Sequence, residues 1–175
     1  VTVSLDGGSV GIETGIGFFD HMLTALAVHG GFGLKVHTEG DLYVDCHHTI
    51  EDTGIVLGQA FAKALGDKGG ICRFGSFFVP MDEALAFASV DIRGRPFLVF
   101  QGEFPEERVG DFDTCMTEEF FRALAFNAGM TLHLRVEYGK NSHHMIEALF
   151  KAAAHALREA TALSGGGVLS TKGIL

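Results

Sequence analysis

His47-His48 is followed by Glu51, and His143-His144 is followed by Glu147, so the pattern His-His-x-x-Glu occurs twice, 96 residues apart. One such doublet is commonplace on a protein surface. Two in a chain of 175 residues point to a duplicated unit, and a duplicated unit restricts the fold to two like halves packed together. The repeat extends upstream, where the segment from His21 to Gly31 lies over the segment from Glu119 to Gly129. Leu26-Ala27 meets Leu124-Ala125, and glycine meets glycine at the end.

Both segments are apolar at helical spacing and stop at glycine, which predicts two helices with glycine C-caps. Alternating residues follow each. Leu34, Val36, Leu42 and Val44 predict a hairpin around Glu39-Gly40, and Leu132, Leu134 and Val136 predict a strand. The doublets then open two further helices, over residues 49–66 and 142–163, and a second hairpin is expected around Arg93-Gly94 within 86–101. Half one runs over 1–84 and half two over 85–175, without a Pro/Ser-rich linker between them. The expected class is α/β, an α+β two-layer arrangement of two pseudo-symmetric repeats.

Composition narrows the function. At 47% hydrophobic and 20% charged, the chain can bury a core without disulfides. Cys46, Cys72 and Cys115 cannot all pair, which fits reduced thiols and a cytoplasmic location. A net charge of −9 argues against nucleic acid or an anionic membrane as partner. No apolar run suffices to span a bilayer, and no secretory signal pattern is present.

On a helix, residues i and i+4 share a face, whereas i and i+1 diverge by about 100°. His47 can therefore converge with Glu51, and His143 with Glu147, while His48 and His144 point elsewhere. A doublet of this kind can place one imidazole on each of two ions. His21 and Glu119 occupy equivalent repeat positions and are both metal-competent. The candidate ligands are thus His21, His47, His48, Glu51, Glu119, His143, His144 and Glu147, which suit Mn(II) or Fe(II). Without a thiolate cluster, a structural zinc site is disfavoured. His37, His133 and His155 are assigned no role, and Cys46 is read as a small buried neighbour.

A second constellation suits an anion. Arg73 lies in Gly69-Gly70-Ile71-Cys72-Arg73-Phe74-Gly75, Arg95 lies in the turn Arg93-Gly94-Arg95-Pro96, and Ser170-Thr171-Lys172 follows three glycines. Glycines let backbone N–H groups approach an anion, while hydroxyls and basic side chains donate to it. The order of these residues is not that of a P-loop.

Phe19-Asp20-His21-Met22-Leu23, Asp45 to Asp52, Pro80-Met81-Asp82-Glu83-Ala84, Asn141 to Glu147 and Ser170-Thr171-Lys172-Gly173 together resemble the imidazoleglycerol-phosphate dehydratase family, nearly end to end. The resemblance implies dehydration of imidazole glycerol phosphate to imidazole acetol phosphate in histidine biosynthesis. It implies two Mn(II) ions per site, one on His21, His48, His143 and Glu147, the other on His47, Glu51, Glu119 and His144. It places Arg73, Arg95, Ser170 and Lys172 on the substrate, mainly its phosphate, and lines the pocket with the segment from His21 to His29. It also implies a four-stranded sheet with helices on one face in each half, and a shell of twenty-four subunits with sites at their contacts. Some family members carry His where this chain has Glu119, and the family's substrate-binding glutamate upstream of Val1-Thr2-Val3 precedes this sequence.

The C–H broken in such a reaction is weakly acidic, since no carbonyl adjoins it. An imidazolate ring expelling the neighbouring hydroxyl, through a diazafulvene-type species, avoids that difficulty. Glu147, Glu51 and Asp82 are the candidate carboxylates for moving the carbon proton. Two other readings use the same residue types: a binuclear metallohydrolase acting on a phosphate ester, and a metal-storage shell. The first lacks an aspartate-rich bridging motif here. The second has no use for phosphate-binding turns.

Overall fold

The computed structural model describes residues 1–166 and 169. The elements run β1 (Thr2–Ser4), β2 (Val10–Glu13), α1 (Gly17–Gly30), β3 (Gly33–His37), α2 (His47–Leu65), β4 (Phe74–Met81), β5 (Ala84–Asp91), β6 (Phe97–Gln101), β7 (Arg108–Val109), β8 (Phe112–Asp113), α3 (Met116–Ala128), β9 (Thr131–Tyr138) and α4 (Ser142–Thr161). The mixed α/β class is as the sequence indicates.

The repeat holds in topology. In the first sheet the order is β1-β3-β2, with β3 antiparallel to β1 and parallel to β2. In the second it is β4-β5-β9-β6, with β9 antiparallel to β5 and parallel to β6. β1, β2, α1, β3 and α2 therefore match β5, β6, α3, β9 and α4. The first sheet has three strands among the described residues, not the four expected of each half. The half boundary at 84/85 also needs correction. β4 and β5 pair from Phe74↔Asp91 to Met81↔Ala84 as one hairpin, so the sheets divide between Leu65 and Phe74.

Both expected hairpins fail for one physical reason: the more apolar strand takes the centre. β9 places Leu132 and Leu134 in the core and inserts between β5 and the half-exposed β6, so the turn at Arg93-Gly94 bridges across β9. The Gly94 N–H donates to the Gly129 carbonyl at 2.8 Å and fixes that crossing. In the first sheet β3 buries Leu34 and Val36 and is paired on both edges, by β1 and β2. No edge is left for a hairpin partner, so beyond His37 the chain turns away, and Leu42 and Val44 form no strand and stand exposed.

The helices meet between the sheets, α1 on α4 and α2 on α3. Gly31 and Gly129 end α1 and α3 in the left-handed conformation, at φ 71° and 66°, as the glycine signals predict. Phe19, Phe112, Phe120, Phe121 and Phe150 are fully buried and join the two halves through ring contacts such as Phe19–Phe120 at 5.3 Å. Gly75 lies where a Cβ would sit 2.0 Å from the Ala156 carbonyl oxygen. That glycine serves sheet-to-helix packing, not the anion cradle its sequence context suggests.

Candidate metal centre

Each doublet opens a helix whose first turn is capped by the residue two positions before it. Asn141 accepts hydrogen bonds from the backbone N–H groups of His143 (2.9 Å) and His144 (3.4 Å), and Asp45 accepts from His47 at 2.8 Å. Asp45 and Asn141 are repeat equivalents, so the cap belongs to the duplicated unit. The helix pairs run parallel: α1 meets α4 at His21 and His143 and again at His29 and His155. The N-terminal ligands of each pair are thereby brought side by side.

His21, His143 and Glu147 converge, with one ligand atom from each lying within 4.8 Å of the others. Glu147 Oε2 is 3.6 Å from His21 Nε2 and 3.3 Å from His143 Nε2. Its other oxygen, Oε1, is 2.7 Å from Lys151 Nζ. The Glu147 side chain is only 7% exposed. Burial pushes its pKa up, but the Lys151 ammonium and the two imidazoles outweigh that and hold it below the usual carboxylate value. A buried, ionised carboxylate flanked by two imidazole nitrogens is a fitting donor set for a borderline divalent cation. Phe18 packs edge-on against His143, with ring centroids 4.9 Å apart, and fixes that ring.

The repeat-equivalent set is looser. His47 Nε2 is 3.5 Å from Glu51 Oε2, and His47 and Glu119 line one open cleft with Cys115 and Met116. Glu119 Oε2 lies 3.6 Å from Arg122 Nε. His48 and His144 turn away from both groups, as the helix geometry predicts. His48 Nδ1 is 2.9 Å from Asp41 Oδ2, and His144 Nδ1 is 2.7 Å from Glu83 Oε2. Within one chain, therefore, three of the eight expected ligands converge, His47 pairs with Glu51 and shares a cleft with Glu119, and His48 and His144 are bonded to other carboxylates.

Arg73 and Arg95 are not brought to these groups. The Arg73 N–H bonds the Ala160 carbonyl at the far end of α4, roughly 20 Å along the helix from Glu147. Its guanidinium is tied to Asp91 by bonds of 2.7 and 3.2 Å and donates to the Leu169 carbonyl at 2.6 Å. The Arg95 carbonyl accepts from Thr131 Oγ1, beyond the C-terminal end of α3. His29 sits in the last turn of α1, 3.4 Å from His155. Asp82 is 71% exposed, with Oδ2 3.5 Å from His144 Nε2. Ser170, Thr171 and Lys172 lie outside the described residues.

Three participants are absent from the residues singled out in the sequence. Lys151 carries a signal that could have found it, being one helical turn beyond Glu147 on the same face. Asp41 and Glu83 are not, because their contacts with the imidazoles are tertiary and carry no periodic signal. No described helix is long and apolar enough to cross a membrane.

Comparison with known proteins shows the family. The family sequence pattern described as imidazoleglycerol-phosphate dehydratase matches residues 14–157. The chain is 57% identical over 178 residues to imidazoleglycerol-phosphate dehydratase of Clostridium kluyveri, covering 100% of this chain and 92% of that protein. It is 62% identical over 176 residues to the protein of that name from Clostridium acetobutylicum, covering 99% of this chain and 89% of the relative. The crystal structure of imidazoleglycerol-phosphate dehydratase from Staphylococcus aureus superposes with a TM-score of 0.87 at 45% identity, covering 92% of this chain and 91% of that one. The Pyrococcus furiosus enzyme in complex with (S)-C348 gives 0.86 at 38% identity, covering 99% and 94%. The convergence of His21, His143 and Glu147 thus sits in a chain that belongs to the imidazoleglycerol-phosphate dehydratase family, enzymes of histidine biosynthesis.

Proposed function

We propose that this chain dehydrates imidazole glycerol phosphate in a metal-dependent reaction, with two Mn(II) ions per active site. The observation that carries this is the group formed by His21, His143 and Glu147 around a buried ionised carboxylate. Its counterpart is His47, Glu51 and Glu119. The fourth ligand of each set, His48 for the first and His144 for the second, is proposed to come from a neighbouring copy, since each is bonded to a carboxylate outside both groups of its own chain. The ions supply Lewis acidity toward the nitrogens of the substrate ring.

The residues of the chain do the rest. Lys151 holds Glu147 ionised and keeps its second oxygen from rotating away. Phe18 and the Asn141 cap hold His143 in place. The substrate ring would give up its N–H proton and expel the adjacent hydroxyl, the two leaving together as water; the diazafulvene-type species left behind would lose its carbon proton and regain a ring proton to form an enol, which tautomerises to the ketone of imidazole acetol phosphate. All three carboxylates expected for proton transfer lie near an imidazole nitrogen, Glu147 beside His21, Glu51 beside His47 and Asp82 beside His144. Asp82, 71% exposed against 43% for Glu51 and 7% for Glu147, is the most accessible and is proposed to move the proton.

Arg73, Arg95, Ser170, Thr171 and Lys172 are proposed to serve the phosphate of a site centred on another copy. The separation of roughly 20 Å between Arg73 and Glu147 along α4 supports that division. Phe74, Phe78 and Phe97, each at least half exposed on outer strands, supply apolar surface for such contacts in a shell of twenty-four subunits.

The test is metal content and turnover. Metal-free protein should lack dehydratase activity and regain it with Mn(II). His48→Ala and His47→Ala should each lose one ion of the pair. Two full sites in either variant by elemental analysis would refute the divided ligand sets. Turnover of a generic phosphate ester in place of imidazole glycerol phosphate would favour the hydrolase reading.

A further inference from the structure

The second histidine of each doublet is held by the same device. His48 Nδ1 meets Asp41 Oδ2 at 2.9 Å, and His144 Nδ1 meets Glu83 Oε2 at 2.7 Å. The first histidines differ, since His47 and His143 turn Nε2 toward the glutamate one helical turn on. The device is not inherited from the duplication. Asp41 lies in the loop before α2, whereas Glu83 lies in the turn between β4 and β5. Counted back from the second doublet, the residue at the distance of Asp41 from the first is Glu137, which is bonded to Arg135 instead.

A carboxylate that is ionised can only accept. The Nδ1 facing it must therefore carry the proton, and in the neutral ring Nε2 is left with the lone pair. Such an imidazole is preset as an Nε2 ligand; His144 Nε2 lies 3.5 Å from Oδ2 of the exposed Asp82, a contact that a cation at that nitrogen would replace. We propose that Asp41 and Glu83 are positioning residues that fix the tautomer and direction of His48 and His144, so that each presents Nε2 to a cation shared with another copy of the chain. This rests on the two-ion reading above.

Glu83 also has a structural task. Its Oε1 accepts from the backbone N–H groups of Lys140 (3.1 Å) and Asn141 (2.9 Å), which lead into α4. That second task makes Glu83→Gln informative. The amide oxygen would stay with the two N–H groups it already serves. The amide NH2 would then face His144 Nδ1, forcing that nitrogen to accept and moving the ring proton to Nε2. A tether alone would tolerate the substitution, because the accepting oxygen is kept. A tautomer lock would not.

The experiment is titration of the full chain with Mn(II), with free ion read by electron paramagnetic resonance, for wild type, Glu83→Gln, Asp41→Ala and His144→Ala. His144→Ala is expected to lose one class of site. Glu83→Gln is expected to weaken that same class by roughly 10–100-fold, and Asp41→Ala to weaken the other class by a similar factor. Wild-type titration of Glu83→Gln beside a lost class in His144→Ala overturns the positioning role while the metal site stands. Both classes intact in His144→Ala overturns the metal assignment and this proposal with it. If Glu83→Gln does not fold, Asp41→Ala decides alone: wild-type affinity in that variant overturns the proposal.

Discussion

Gly54 and Gly58 stand in the interior of α2, where glycine ordinarily costs about 1 kcal/mol relative to alanine. Replacing either with alanine should therefore stabilise an isolated helix. The packing against α3 reverses the sign. A Cβ on Gly58 would lie 2.7 Å from the Leu124 carbonyl oxygen, 2.7 Å from Asn127 Cβ and 3.0 Å from the Ala128 nitrogen. A Cβ on Gly54 would lie 2.8 Å from the Phe120 carbonyl oxygen and 2.9 Å from Ala123 Cβ. Most of these neighbours are backbone and cannot swing aside, so the helices must separate. Overpacking of this kind costs roughly 1–3 kcal/mol, which outweighs the helix-propensity gain of about 1 kcal/mol over most of that range. Gly58→Ala should thus be destabilising by a net of up to about 2 kcal/mol, a Tm lower by up to roughly 4–8 °C in a domain of this size. Gly17→Ala, in a first helical turn with open space around the position, is the control and should leave Tm unchanged or higher. Separation of α2 from α3 also draws Glu119 from His47 and Glu51. Gly58→Ala should therefore weaken binding of one ion of the pair more than the other. A rise in Tm for Gly58→Ala on metal-free protein would refute the argument.

Two further expectations follow from the α1–α4 seam. Glu147→Gln in metal-free protein leaves Lys151, 18% exposed, without its charged partner at 2.7 Å, and should lower stability by about 1.5–3 kcal/mol in denaturant melts; an unchanged midpoint would count against the buried pair. His29 and His155 are both held below the ordinary value of 6.5, chiefly by burial, then by Lys151 for His29 and Arg158 for His155. The fold favours their neutral forms, so their contribution is whole above pH 6.5 and is lost as pH falls through the lowered folded values. His155→Gln should flatten the fall in stability of metal-free protein as pH drops through and below 6.5, and an equal slope would exclude these rings as its source.

The duplication is legible because helices repeat their chemistry at fixed intervals. His47 with Glu51 and His143 with Glu147 are local pairs, and their partition from His48 and His144 follows from helix geometry alone. Gly31 and Gly129 announce their helix ends for the same reason. What the sequence conceals is order across a sheet. Nothing in the segment from Ala84 to Gln101 says that β9, far along the chain, will insert between its two strands, since that choice is settled by which strand buries more apolar surface. The glycine-rich context of Gly75 likewise suggests an anion, whereas the space around it is taken up by the Ala156 carbonyl of α4.

The division of ligands has a consequence for assembly. One chain brings His21, His143 and Glu147 together and turns His48 and His144 to other carboxylates, so under the two-ion proposal a complete site requires at least two copies. An ion that binds only the assembled form stabilises it by RT ln(1 + [L]/Kd), about 2.7 kcal/mol at a hundredfold excess over Kd. Two ions then contribute about 5 kcal/mol per site. The opposing possibility is a shell held by apolar contacts, and the surface for it exists: burying Phe74, Phe78 and Phe97 would contribute about 1.5–3 kcal/mol each. The two contributions are similar in size, so neither dominates at every protein concentration, and dilution separates them. Loss of about 5 kcal/mol weakens association by nearly four orders of magnitude. A shell that persists at nanomolar subunit with Mn(II) should dissociate at micromolar subunit after chelation, and re-form when Mn(II) is restored. Sedimentation across that concentration range, with metal content measured on each sample, gives the answer. A full-size particle at nanomolar subunit with empty sites would refute the linkage and assign the assembly to its phenylalanines.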